Sequence, residues 1–76
     1  MRVYVQLFFG LEEFSSIKQK KHLLTVDGPC TVLDVVKKLA LPEEPMLILV
    51  NEKVSSFSAE VNSEDHLKFF PWLAGG

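Results

Sequence analysis

The run Thr31-Val32-Leu33-Asp34-Val35-Val36-Lys37-Lys38-Leu39 sets Val32, Val35, Val36 and Leu39 on one stripe of an amphipathic helix, while Asp34, Lys37 and Lys38 turn to water. Thr31 is a sound N-cap, and Asp34 three residues later has the spacing of a capping box. Pro42 requires the helix to end ahead of it, because proline disfavours a helical residue at the preceding position. Elsewhere the chain reads as strands and turns. One helix can cover only one face of a sheet, so its stripe and the inward residues of the strands must make the core.

On the N-terminal side, Val3, Val5, Leu7 and Phe9 alternate with Tyr4, Gln6 and Phe8, the period of two of a strand with one face on a core. Gly10 ends it. Residues 11–20 mix charged and apolar residues and read as a connection with one helical turn. A second strand over about His22–Val26 stops at the turn cluster Asp27-Gly28-Pro29 and pairs with the first as a hairpin. On the C-terminal side, the rigid connector Pro42-Glu43-Glu44-Pro45 leads into Met46-Leu47-Ile48-Leu49-Val50, apolar throughout, as expected of a central strand covered on both faces. Asn51-Glu52-Lys53 then turns the chain into a short strand near Val54–Phe57. After the polar stretch 58–65 comes the last strand, His66-Leu67-Lys68-Phe69-Phe70, halted by Pro71. The order strand, strand, helix, strand, short strand, strand matches an α+β fold of the β-grasp type. Its mixed sheet would have four to five strands, with the first and last side by side in the middle and the helix on one face. The expected division is a domain over residues 1–70 and a flexible tail over 71–76.

The chain has 76 residues, enough for one small domain but too few for a deep cleft as well as a core. An apolar fraction of 47% and a charged fraction of 24% exclude disordered, collagen-like and disulfide-rich classes. A net charge of −2 provides no general attraction for phosphate backbones or anionic lipid, so neither nucleic acid nor a membrane is an expected partner. No apolar run approaches the roughly 18 to 20 residues that cross a bilayer. Residues 3–9 contain Gln6, follow only Arg2 and run into Glu12-Glu13, so they read as a strand rather than a signal peptide. The single cysteine, Cys30, suits a reducing compartment, and the expected location is the cytoplasm.

Catalytic machinery is scarce. There is no phosphate-cradling glycine loop, and Cys30, His22 and His66 are too few and too dispersed for a zinc site. The serines lie in polar stretches without a nearby histidine base in sequence, and read as solvated loop residues. Cys30 precedes the helix cap, where a dipole can activate a thiol; the competing and preferred reading packs its sulfur against Val35 as a hydrophobic staple. His22 and His66 read as structural or exposed. The cluster Lys18, Lys20 and Lys21 reads as a solvated hairpin edge.

The exception is Phe69-Phe70-Pro71-Trp72-Leu73-Ala74-Gly75-Gly76. Pro71 releases this stretch from the sheet, and two glycines without Cβ atoms can thread a channel too narrow for other residues. A carboxylate at Gly76 would be an anion at neutral pH and a poor electrophile, so acyl chemistry there requires prior activation, for example by attack on the α-phosphate of ATP. A frayed terminus, or Trp72 and Leu73 folded back on the core, are the competing readings.

The tail FFPWLAGG resembles the Phe-Pro-rich, Gly-Gly-ending terminus of the MoaD/ThiS ubiquitin-like sulfur carriers, and especially of the small subunit of molybdopterin synthase. Val50-Asn51-Glu52-Lys53-Val54 and Leu7-Phe8-Phe9 extend the resemblance over most of the chain. It implies a non-catalytic carrier that binds no cofactor itself. A ubiquitin-activating-enzyme-like partner would use ATP to adenylate Gly76, which would then become a thiocarboxylate. In the molybdopterin branch the tail would enter the large synthase subunit, which would supply the catalytic groups. Alternatives are a carrier for thiamine or another pathway, or a protein modifier joined through Gly76.

The sequence departs from that pattern at Trp72, where these subunits usually have a second proline, and at Asn62-Ser63-Glu64-Asp65, which lacks their usual glycine before the last strand. Asn62 or Asp65 can still make that turn through side-chain hydrogen bonds. Parity places Tyr4, Phe8, Ile48, Lys68 and Phe70 on the uncovered face. Phe8 and Phe70 of that face, with Pro71, Trp72 and Leu73 of the adjoining tail, are the expected partner-binding residues; the resemblance implies Ala74 and Gly75 as the slender part of the tail and Gly76 as the reacting residue.

Overall fold

The computed structural model describes residues 1–16 and 18–72. Its elements are β1 (Arg2–Leu7), a 3₁₀ turn (Leu11–Phe14), β2 (Lys21–Thr25), β3 (Cys30–Thr31), α1 (Val32–Lys38), β4 (Met46–Val50), β5 (Lys53–Val54), β6 (Glu60–Val61) and β7 (His66–Pro71). Five strands form a mixed sheet in the order β2-β1-β7-β4-β5, and β3 pairs with β6 in a small second sheet. The first and last strands of the large sheet lie side by side and parallel, from Tyr4 opposite His66 to Leu7 opposite Phe69. All other pairings are antiparallel. This is the expected β-grasp arrangement, with α1 supplying the crossover that a parallel pair requires.

The helix starts as its sequence dictates. Thr31 Oγ1 accepts from the Asp34 N–H at 3.3 Å, and the Thr31 N–H donates to Asp34 Oδ2 at 2.9 Å, so two otherwise orphaned donors are satisfied. It ends before Pro42 by a device the sequence does not advertise. Ala40 takes a left-handed conformation at φ 58°, with Ala40 N–H donating to Lys37 O and Leu41 N–H to Val36 O. That is the Schellman pattern, with alanine where glycine is usual.

Val32, Val35, Val36 and Leu39 of the helical stripe meet Val3, Val5, Leu7, Leu67 and Phe69 of the central strands in one buried cluster. Cys30 joins the same cluster, opposite Val61 on β6. Burial, with Asp34 nearby, pushes its thiol pKa up, the opposite of an activated nucleophile.

Several expectations need correction. Ile48 lies in the core at 2% exposure, opposite Phe69, because paired residues of neighbouring strands share a face. Leu47 and Leu49 point the other way and are half-buried, so β4 is not covered on both faces. Phe9 is 69% exposed rather than inward: β1 ends at Leu7, and the left-handed pair Phe9 (φ 53°) and Gly10 (φ 82°) turns the chain so that Leu11 fills the core. The strand after the Asn51-Glu52 turn is only Lys53–Val54, while half-buried Phe57 packs against the core. The stretch 58–65 contains β6, a strand too short to show periodicity. β7 runs one residue further than expected, to Pro71 opposite Met46.

Candidate functional site

Each central strand sends alternate residues to the core and to a face that no helix covers. On β7, Leu67 and Phe69 are buried, whereas Lys68 and Phe70 are half-buried on the open face. β1 places Tyr4 and Gln6 there, and β4 adds Leu47 and Leu49. Register then fixes the rows across the sheet. Lys21, Gln6, Lys68 and Leu49 align in one row, and Leu23, Tyr4 and His66 in another. At the end where β7 leaves the sheet, Phe8, Phe70 and Leu47 come together.

This last group is aromatic and ordered. The Phe8 N–H donates to Phe69 O at 3.1 Å, which holds the chain beyond β1 alongside β7. The Phe8 and Phe70 rings then stack, centroids 4.2 Å apart and planes 15° from parallel. Phe9 tilts over the same pair, 6.3 Å from Phe8 and 6.1 Å from Phe70, and presents its remaining surface to solvent. Trp72, the last described residue, is 64% exposed. An outward-facing group of this kind desolvates readily against another protein, and it lies at the end of the sheet where β7 finishes.

The polar rows have a different character. Tyr4 and His66 stack with ring centroids 4.6 Å apart. Lys68 pairs with Glu52, and Arg2 Nη2 meets Glu64 Oε1 at 2.9 Å. His22 is buried; its Nε2 lies 2.7 Å from Gln19 O, a structural contact. Among the described residues, no group of three His, Cys, Asp or Glu is placed to hold a metal ion, and no helix is long and apolar enough to cross a membrane.

The structure thus brings Phe8, Phe70, Pro71 and Trp72 to one end of the sheet; Leu73, Ala74, Gly75 and Gly76 lie outside the described residues. Half-buried Leu47 and exposed Phe9 adjoin the same aromatic end, and half-buried Leu49 lies on the same open face in the row of Lys68, although parity alone did not place them there. Only the register of β4 against β7 places Leu47 and Leu49 on that face, and the uniformly apolar sequence of β4 carries no local signal of it.

A family model, the ThiS family, matches residues 5–76. The chain belongs to the ThiS family. Its members are ubiquitin-like sulfur carriers, generally non-catalytic, that work with E1-like adenylating enzymes and larger partner subunits. No curated protein matches the sequence. Among solved structures, Urm1 from Trypanosoma brucei is 22% identical, with a TM-score of 0.75, over 99% of this chain and 95% of that one. Small archaeal modifier protein 1 of H. volcanii is 20% identical, with a TM-score of 0.75, over 95% and 98%. A Pyrococcus furiosus protein assigned as molybdopterin converting factor subunit 1 is 18% identical, with a TM-score of 0.72, over 95% and 98%. These likenesses establish the β-grasp fold.

Proposed function

We propose that this family member carries sulfur on a terminal carboxylate at Gly76 and delivers it in molybdopterin synthesis, as the small subunit of a synthase. The observation that carries the reading is the placement of the Phe8–Phe70 stack where β7 leaves the sheet. A carrier needs a binding surface beside its tail, so that docking and insertion of the tail occur together. Family membership through residue 76 supports the tail chemistry.

In this reading the Gly76 carboxylate attacks the α-phosphate of ATP on an adenylating partner, forming an acyl-adenylate and releasing pyrophosphate. A sulfur nucleophile at the sulfide level then adds to the carbonyl, AMP leaves, and a thiocarboxylate remains. Inside the large subunit, Leu73 and Trp72 flank the entry, Ala74 and Gly75 pass the narrow part, and the large subunit supplies the acid and base groups. The chain needs only to present the terminus.

The test is intact mass after incubation with the activating partner, ATP and a sulfur donor. Exchange of one oxygen for sulfur at the terminus is expected. No exchange with a demonstrably active partner refutes the reading. In this reading, deleting Gly76 abolishes the exchange and leaves thermal stability nearly unchanged; a large loss of stability would assign the tail a structural role instead. A second reading, a modifier joined to lysines of other proteins, draws on the fold likeness to small archaeal modifier protein 1. It requires high-mass conjugates that vanish when Gly75 and Gly76 are removed.

A further inference from the structure

β2 lies at the margin of the five-stranded sheet. Its hydrogen bonds to β1 are bracketed by Leu7 N–H to Lys20 O at 2.7 Å and Val26 N–H to Met1 O at 2.9 Å. In an antiparallel ladder this phase turns the backbone groups of even-numbered β2 residues inward and those of Lys21, Leu23 and Thr25 off the edge. No hydrogen bond to these outward groups occurs among the described residues. The edge contains neither proline nor bulge, and its midpoint carries Leu23 at 55% exposure. Such an edge is a template for another strand.

The edge is also electrically polarised. Lys18, Lys20 and Lys21 are exposed at its start, and none pairs with a carboxylate among the described residues; Lys18 Nζ reaches only the neutral Glu13 carbonyl. At the other end Asp27 is exposed. Among the described residues, three exposed lysines without a carboxylate partner thus stand at one end of an open edge, on a chain whose net charge is −2.

We infer that β2 docks an extended peptide as a sixth, antiparallel strand, with an apolar residue over Leu23 and carboxylates at the peptide's C-terminal end beside the three lysines. Antiparallel pairing brings that end to the start of β2. A second copy of the chain fits less well: a two-fold β2–β2 pair offers one Asp27 to three lysines. Nucleic acid could meet the lysines but cannot complete the N–H and C=O ladder. The inference uses neither Gly76 nor the aromatic end, so it goes beyond the sulfur-carrier reading and stands or falls apart from it.

The experiment titrates the ¹⁵N-labelled full chain with the synthetic peptide acetyl-Thr-Val-Thr-Ile-Thr-Glu-Glu-Asp-amide and follows amide shifts and hydrogen exchange. The expected result is new protection at Lys21, Leu23 and Thr25, with the amides of β4 and β7 unchanged. N-methylating the peptide's ladder-facing amides abolishes binding. Replacing its three acids by lysine weakens binding about tenfold, as does the double change Lys20→Glu and Lys21→Glu with the fold verified by its amide spectrum. The proposal is overturned by any of four outcomes: no binding at millimolar peptide, binding without protection of those three amides, equal affinity for the lysine-ended peptide, or protection that arises from self-association. Binding of oligothymidylate tighter than the peptide would likewise overturn it, assigning the lysines to phosphate.

Discussion

Replacing Phe8 and Phe70 by alanine, singly and together, tests whether the aromatic end is a preassembled unit or two separate exposed rings. Both side chains are half-buried, so each loses about half of the roughly 1.5–3 kcal/mol of a fully buried phenylalanine, or about 1 kcal/mol. Rings stacked at 4.2 Å and 15° add a mutual contribution of about 1 kcal/mol that either substitution removes. Each single variant should therefore lose about 2 kcal/mol, near 10 °C in Tm for a domain of this size. The double variant should lose about 3 kcal/mol rather than 4, leaving a coupling of about 1 kcal/mol. Urea unfolding of the four proteins measures this directly. A coupling within about 0.3 kcal/mol of zero refutes the stack as a unit. A companion measurement is affinity for the large partner subunit. Phe70→Ala should weaken that binding more than it weakens the fold, and unchanged binding would remove Phe70 from the docking surface.

Three further outcomes follow from particular residues. Ile48→Ala should cost about 3 kcal/mol, because its side chain is buried against the Phe69 face, whereas Leu49→Ala on the open face should cost less than about 1.5 kcal/mol; comparable midpoint shifts in urea would contradict the assigned parity. Ala40→Gly should raise stability by about 0.5 kcal/mol, since relief of a left-handed alanine exceeds the extra entropy of unfolded glycine; a destabilised variant would refute that account of the helix end. Hydrogen bonds from Thr31 hold the Asp34 carboxyl below its ordinary pKa, and a hydrogen bond from Arg2 does the same for Glu64. A depressed folded-state pKa stabilises above the unfolded value, and that contribution is lost as pH falls through the folded one. Stability should therefore decline on acidification from the ordinary carboxylate range downward, and the pair Asp34→Asn and Glu64→Gln should flatten the decline; an unaltered pH slope in that pair would show that other groups govern it.

What was legible in the chain followed from phase. Val32, Val35, Val36 and Leu39 share one helical stripe, and Val3, Val5 and Leu7 share one strand face, so the helix and most of the core could be read directly, and the order of elements matched a β-grasp with its first and last strands adjacent. Phe8 and Phe70 were placed by the same alternation. Met46–Val50 is apolar at every position and carries no phase; only its register against β7 puts Ile48 inward and Leu47 and Leu49 outward. β6 has two residues, and its partner β3 is distant in sequence, so neither periodicity nor a local turn announces it. Phe9, Ala40 and Glu64 adopt left-handed backbone without being glycine, which hid one inverted side chain, one helix end and one turn. Glu64, at φ 70°, stands in the turn where the expected glycine is lacking, and Asp65 makes that turn possible: its Oδ2 accepts from the Asn62 N–H at 2.8 Å.

The same Asp65 explains how a strand with two different faces keeps them apart. A slip of one residue in β7 would move Lys68 and Phe70 into the core and expel Leu67 and Phe69, exchanging site and core at once. Three contacts at the start of the strand oppose that slip. Asp65 Oδ1 accepts from Asn51 Nδ2 at 2.9 Å, Asn51 Oδ1 accepts from the His66 N–H at 2.9 Å, and the Asp65 carbonyl accepts from the Tyr4 N–H at 2.9 Å. They tie β7 to the β4–β5 turn on one side and to β1 on the other, at the end of the strand remote from the aromatic group. Register is therefore fixed where no partner needs to bind. The opposite end, where Phe70 and Pro71 lead outward, is left free to carry side chains chosen for docking, since changing them does not loosen what aligns the strand.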